Sequence, residues 1–295
     1  MKKINWIAPV FILIWSTGFI IARYGMPYSE PFTFLFLRST GVFALMLPVA
    51  LYLKPQWPNL AQLRHISIAG CLLQFCYIGG VWTAVKHGMP AGLTALIVGL
   101  QPILTAFLSS FVSEHVTPRQ WLGLGLGITG VALVLFAKLN VEGLSIPSLI
   151  FIFGALIAIT AGTLYQKRYT PHFDLIAGSV IQFGTTAVLC LPVMFLFETR
   201  EVQWTTPMIG ALLWGIIPIS LGAMSLLFIL IRRGDATKVS SLMYLTPPTT
   251  AFMAWILFGE SLTPLVLLGT GVTMIAVLIV NQVSPFKWLK FRVFS

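Results

Sequence analysis

The sequence predicts an all-α membrane protein: ten transmembrane helices forming two inverted five-helix repeats, with the N- and C-termini cytoplasmic. Three observations predict it: an unusually apolar composition, the distribution of Lys and Arg, and a long stretch that occurs twice. Of the 295 residues, 57% are hydrophobic and 9% are charged, whereas soluble domains carry about a quarter charged residues. The net charge of +10 does not point to nucleic acid, because the basic residues are scattered between apolar segments and form no run. Cys71, Cys76 and Cys190 fall inside apolar segments, without the count or spacing of a disulfide framework or a zinc site.

A bilayer core needs about 20 apolar helical residues. Spans are predicted at 4–22, 31–53, 66–86, 91–113 and 118–137, then at 148–167, 175–197, 207–231, 237–258 and 264–283. The first apolar run ends at Arg23-Tyr24 without a small-residue cleavage site, so it reads as a membrane helix and not a signal peptide. Thr117-Pro118 and Thr263-Pro264 each place a capping hydroxyl before a proline at the first helical position, and Glu30-Pro31 and Thr206-Pro207 look similar. With the N-terminus inside, 13 Lys and Arg fall on the cytoplasmic side and 4 outside (Arg23, Lys86, Lys138 and Arg200), leaving Arg38 within the membrane. That bias sets both termini inside.

The duplicated stretch runs from Gly88 to Val134 and from Gly234 to Val280. A constant shift of 146 superposes Gly88 on Gly234, Pro102 on Pro248, Glu114 on Glu260, Thr117-Pro118 on Thr263-Pro264, Gly123 on Gly269 and Gly125 on Gly271. The first two helices of each half repeat more weakly at a shift of 144, with Gly18 on Gly162, Arg23 on Lys167, Arg38 on Gln182 and Pro48 on Pro192. Five helices per half force the second copy to enter the membrane the other way up. The expected organisation is a first repeat at 1–143, a second at 144–283, and an interfacial cytoplasmic tail at 284–295 that carries Lys287, Trp288, Lys290 and Arg292.

Polar and helix-breaking residues within the spans are the candidates for function. A proline has no N–H, so Pro102 leaves the Val98 carbonyl without its helical partner, and Pro247-Pro248 do the same to Met243 and Tyr244. Free carbonyls at membrane depth must face protein, water or a ligand. Kinked helices lining a cavity are one reading, packing kinks satisfied by a nearby hydroxyl the other. Gln101 is costly in lipid and should point inward, and Thr246 precedes the second proline pair. Arg38 either contacts a substrate or gate, or ties its helix to carbonyls or to a carboxylate such as Glu30. Trp15, Thr17, Tyr77, Trp82, Thr160, Tyr165 and Tyr244 complete the binding candidates. No Asp or Glu sits mid-span, which weakens proton antiport through a buried carboxylate. Glu114 and Glu260 read as structural, accepting from amides at the start of the helix that follows each. Glycines 123, 125 and 127, answered by 269 and 271, should let the fifth and tenth helices pack closely. His65, His87, His115 and His172 lie near span ends on different loops, and no catalytic motif is present, so no catalytic residue, metal site or cofactor is expected.

Several of these motifs carry a family likeness: Trp15-Ser16-Thr17-Gly18, Leu37-Arg38, Ala84-Val85-Lys86-His87-Gly88, Gln101-Pro102, Glu114-His115-Val116-Thr117-Pro118, and the second copy through Pro248 and Glu260-Ser261-Leu262-Thr263-Pro264. In them the chain resembles the EamA-type transporters of the drug/metabolite transporter superfamily, over residues 6–282. The resemblance implies ten helices, an inverted repeat, a central cavity lined mainly by helices 1, 3, 4, 6, 8 and 9, and export or exchange of small metabolites such as amino acids and their derivatives. The expectation is a bacterial-type inner-membrane secondary transporter, not an enzyme, that exports such a metabolite by alternating access. Its partners would be the small molecule and membrane lipid, and it would act as a monomer or homodimer. Two other classes stand beside this reading. A membrane-embedded enzyme or lipid-handling protein would need converging histidines with a carboxylate. A non-catalytic membrane subunit would tolerate changes at Gln101 or the prolines.

Overall fold

The computed structural model describes residues 6–113, 118–142, 144–170, 173–223 and 245–280, together with Ser225, Leu226, Ile229, Leu230 and Met243. Glu114, Thr117, His115, His172, Tyr244 and the C-terminal tail lie outside the described residues. Among those described no strand forms; one isolated antiparallel bridge joins Ser29 and Val202.

The helices are α1 (Ile7–Gly25), α2 (Pro31–Leu53), α3 (Leu60–Gly70), α4 (Tyr77–Lys86), α5 (Ala91–Val98), α6 (Gln101–Ser113), α7 (Pro118–Glu142), α8 (Ile146–Tyr169), α9 (Leu175–Phe197), α10 (Thr206–Trp214), α11 (Thr246–Phe258) and α12 (Pro264–Val280). A π-helical segment, Cys71–Cys76, joins α3 to α4, and a second, Gly215–Ala223, extends α10. Among the described residues six spans are long and apolar enough to cross a membrane, and shorter apolar helices accompany them. The protein is therefore a multi-pass membrane protein.

Helix starts follow the cap chemistry in the sequence, with shifts. The third span begins at Leu60, not at 66, because Asn59 and Gln62 form a reciprocal capping box. The span thereby reaches 27 residues, and the π-helical segment absorbs the extra length. Thr205, not Thr206, caps α10. Thr263 caps α12 through the Val266 amide. Glu30 precedes α2 but makes no cap bond; it pairs with Lys86 at 3.6 Å. α11 stops at Gly259, whose φ of +66° is a left-handed cap that suits glycine.

The lipid-facing side is apolar: Leu51, Phe136, Ile146, Leu196 and Phe197 are all exposed. Several polar side chains turn inward, among them Arg38, Gln182, Thr246 and Glu260. That inversion of the soluble pattern is what a hydrocarbon solvent requires. α2 packs along α9, α7 along α12 and α5 along α11; α4 lies on α8, and α1 lies on α10, its π-helical extension and α11. The α7–α12 seam is tightest at Gly123, Gly130 and Gly269. A Cβ on Gly269 would come within 2.6 Å of the Gly130 carbonyl, and one on Gly123 would collide with Val280. Gly127 instead faces Leu100 and Ile103, while Gly125 and Gly271 face open space. Only part of the expected glycine set therefore makes the seam, because a helix turns consecutive odd positions away from one face.

Candidate functional site

The expected kink at Pro102 is a full break. α5 ends at Val98, and the Leu100 amide turns to the Ile97 carbonyl at 3.1 Å. α6 restarts at Gln101 with Pro102 in its first turn, where a missing N–H costs nothing. In the other half α11 starts at Thr246, with Pro247-Pro248 in its first turn. The break and this helix start touch: a Cβ on Gly99 would lie 2.9 Å from Pro247 Cγ.

A cavity of about 530 Å³ lies against this contact, within the size range of small-molecule sites. α1 contributes Trp15 and Phe19, α4 contributes Tyr77, and the break contributes Val98, Gly99, Gln101 and Pro102. Ile159 and Lys167 of α8, Thr246 and Pro247 of α11, and Thr273, Met274 and Val277 of α12 close the wall. Gln101 Nε2 donates to Thr105 Oγ1 at 3.2 Å and to Thr163 Oγ1 at 3.3 Å. These bonds leave the amide oxygen of Gln101 as an acceptor. Thr246 Oγ1 is buried without a partner. A buried hydroxyl without a partner on a cavity wall is a group that a ligand can satisfy.

Of the sequence candidates, Trp15, Tyr77, Gln101, Pro102, Thr246 and Pro247 line this cavity. The others do not. Thr17 donates to the Ile14 carbonyl and accepts from Trp214 Nε1 at 2.9 Å. Trp82 is packed in the core, edge-on to Phe34. Thr160 is buried and donates to the Leu156 carbonyl. Tyr165 sits 2.7 Å from His65 Nδ1, beside Tyr169. Pro248 is half-buried away from the lining. Arg38 does not reach Glu30. Its Nη2 donates to Ser220 Oγ at 3.0 Å and its Nε to the Gly215 carbonyl at 3.4 Å. The rings of Trp82 and Phe183 flank it at 5.6 and 5.7 Å.

Glu260 corrects an expectation. It does not cap the helix that follows it, because Thr263 already does. Its carboxylate instead accepts from Ala91 N at 2.7 Å and Gly92 N at 3.1 Å, the first amides of broken helix α5. The short α5 has its own dipole and unsatisfied amides to satisfy. His65 and His87 lie near opposite ends of the Leu60–Lys86 span.

Lys167, Thr105 and Phe19 were missed as lining residues, though signals existed. Thr105 and Phe19 each follow a chosen residue by four positions, on the same helix face. Lys167 is the repeat partner of Arg23. The part played by α12 carried no signal, and the eighth span contributes none of the described lining, because Gly215–Ala223 packs on α1 and α2.

Comparison with known proteins bears on the same question. The model of the EamA-like transporter family matches residues 3–136 and 146–282. The chain is 28% identical to the uncharacterized transporter YvbV of Bacillus subtilis (strain 168), over 92% of this chain and 90% of that one. It is 24% identical to the "Probable amino-acid metabolite efflux pump" of Salmonella typhimurium (strain LT2), covering 92% and 93%. To the inner membrane transporter YedA of Escherichia coli (strain K12) it is 24% identical, covering 91% and 87%. One crystal structure aligns with a TM-score of 0.64 at 18% identity, over 94% of this chain and 97% of that one, which shows a shared fold. With both halves of its length matched by the family model, this chain belongs to the EamA-like transporter family.

Proposed function

We propose that the protein is an inner-membrane secondary transporter that exports a small metabolite, an amino acid or a derivative, by alternating access through the cavity where the α5–α6 break meets the start of α11. One observation carries this reading: the break at Gly99 and the restart at Pro247, which come from opposite halves, meet at the wall of one cavity. Substrate sites at discontinuous helices between two halves are the usual arrangement of such carriers. We further propose ten spans in two inverted repeats with cytoplasmic termini. The packing supports this: the pairs α2–α9, α7–α12 and α5–α11 each join corresponding spans of the two halves. Under that topology the end of the cavity bearing Lys167 is cytoplasmic. The substrate class is suggested by the printed name of the Salmonella relative. Gln101, Thr246, Trp15 and Tyr77 are the proposed binding groups.

The test is counterflow in proteoliposomes with a panel of amino acids and N-acylated or deaminated derivatives, with and without a pH gradient. At least one panel member should exchange well above empty liposomes, and Gln101→Ala should reduce that exchange about tenfold, the scale of one lost buried polar contact. No exchange across the panel, or exchange indifferent to Gln101→Ala and Thr246→Val together, rejects the reading.

A further inference from the structure

We propose that the cavity selects molecules of net negative charge: small organic carboxylates with an apolar or aromatic body, in preference to the zwitterion or amine built on the same skeleton. This inference rests on the transporter reading and narrows its substrate.

The charge around the cavity has one sign. Among the described residues that line it there is no Asp or Glu, while Lys167 stands at one end. Four of the described carboxylates near helix ends are occupied elsewhere. Glu260 holds the α5 amides, Glu198 the α2 amides, Asp174 the α9 amides, and Glu30 pairs with Lys86. None of them is left to receive an ammonium group in the cavity.

A second cation is buried in the bundle. Arg38 is 5% exposed, its Nη1 has no partner, and no carboxylate among the described residues pairs with it. The partners it does have, a carbonyl, a hydroxyl and two rings, orient the guanidinium without cancelling its charge. Tyr77, which lines the cavity, is carried by α4, the helix whose Trp82 ring flanks Arg38. The field of an uncompensated charge in a low-dielectric surround reaches well past its contacts. It attracts a carboxylate in the cavity and repels an ammonium.

The sequence repeat adds an independent observation. Lys167 is the counterpart of Arg23. Arg23 lies in the last turn of α1, over the Phe258 ring at 5.9 Å, at the opposite end of the bundle. A carrier that opens to each side in turn needs an equivalent mouth at both ends. The repeat places one cation at each, whereas the buried Arg38 has the neutral Gln182 as its partner.

Three compounds on one skeleton test this: 3-phenylpropionate (carboxylate only), L-phenylalanine (both charges) and phenethylamine (ammonium only). Binding is measured to the purified full chain in lipid nanodiscs, against empty nanodiscs. The acid should bind about tenfold tighter than the amino acid, the scale of one unit-charge interaction in a partly screened site, and the amine should not compete. Lys167→Gln should weaken the acid about threefold, and raising salt from about 50 to 500 mM should erase most of that difference. Arg38→Gln should remove the preference. Because that variant removes a buried donor from Ser220 and the Gly215 carbonyl and can misfold, the exposed Lys167→Gln carries the test on its own. Equal or tighter binding of L-phenylalanine, or an acid affinity indifferent to Lys167→Gln and to salt, overturns the inference. If the zwitterion or the amine binds and exchanges while the acid does not, only this inference falls. If no member of the wider counterflow panel moves, the transporter reading falls with it.

Discussion

At one end of the bundle carboxylates reach across the fold to cap helices far away in sequence, beside local caps; at the other, the described caps are all local. Glu198, just past α9, accepts from Phe32 N and Thr33 N, both at 2.7 Å, and from the Thr33 hydroxyl at 2.8 Å. Glu260 does the same for α5. The loops there are tied as well: Lys86 Nζ donates to the Met26 carbonyl at 2.9 Å, Gln203 N to the Tyr28 carbonyl at 2.9 Å, and Ser145 Oγ to the His87 carbonyl at 2.9 Å. At the end bearing Lys167, Asn59 exchanges bonds with Gln62 three residues on, and Asp174 Oδ1 takes the amides of Ile176 and Ala177. Both styles satisfy helix amides. The difference lies in what each fastens. A local cap stabilises one helix and leaves its neighbours free, whereas a cap from another element fixes two helices relative to each other. Among the described residues, the caps supplied by another element lie at one end, and Lys167 of the cavity wall lies at the other.

The largest test of this comparison is Glu260→Ala. It leaves two amides buried without acceptors, so thermal unfolding in detergent should show a loss of about 3 kcal/mol, with Glu260→Gln recovering part of it. An unchanged unfolding temperature would mean that the cross-cap holds nothing. Next comes accessibility. In a background with Cys71, Cys76 and Cys190 replaced by Ser, Thr105→Cys should react with a membrane-impermeant maleimide about tenfold faster from the Lys167 side than from the other. That asymmetry corresponds to about 1.4 kcal/mol in state population; equal labelling from both sides breaks the distinction between the ends. Asp174→Ala should cost about 1 kcal/mol, the usual value of a local cap. A cost matching that of Glu260→Ala would dissolve the contrast between local and crossed caps. The smallest effect is expected for Lys86→Met. Its pairing with Glu30 is partly exposed, so the loss should be about 0.5 kcal/mol, read as a slight fall in midpoint by the same melt.

Much of this was legible in the sequence. Most of the described spans followed from apolar length, and the break at Pro102 followed from the missing N–H. Gln101 pointed inward as its cost in lipid demanded. What the sequence misjudged shares a cause. Trp82 and Thr160 lie deep within spans, as read, yet face packed core and not the cavity. In water, a helix declares its inner face by an apolar stripe. In lipid, outer and inner faces are both apolar, so depth is readable while rotation is not. Gly125 and Gly271 failed as seam residues for the same reason, while Gly130 was overlooked.

The partner of Glu260 shows where that limit lies. By itself the sequence determined that a carboxylate stands at a span end before Thr263-Pro264, that a helix would break at Pro102, and that a basic residue, Arg38, stands well inside an apolar span. These are properties of single residues and of the backbone bonds they make or forgo. Only the tertiary structure decided that Glu260 serves α5, 169 residues earlier in the chain, that Gly99 meets Pro247, and that Arg38 lies over the rings of Trp82 and Phe183. Each of these depends on which helix is neighbour to which, a choice made by packing in a solvent whose uniform apolarity leaves little trace in the pattern of residues along the chain.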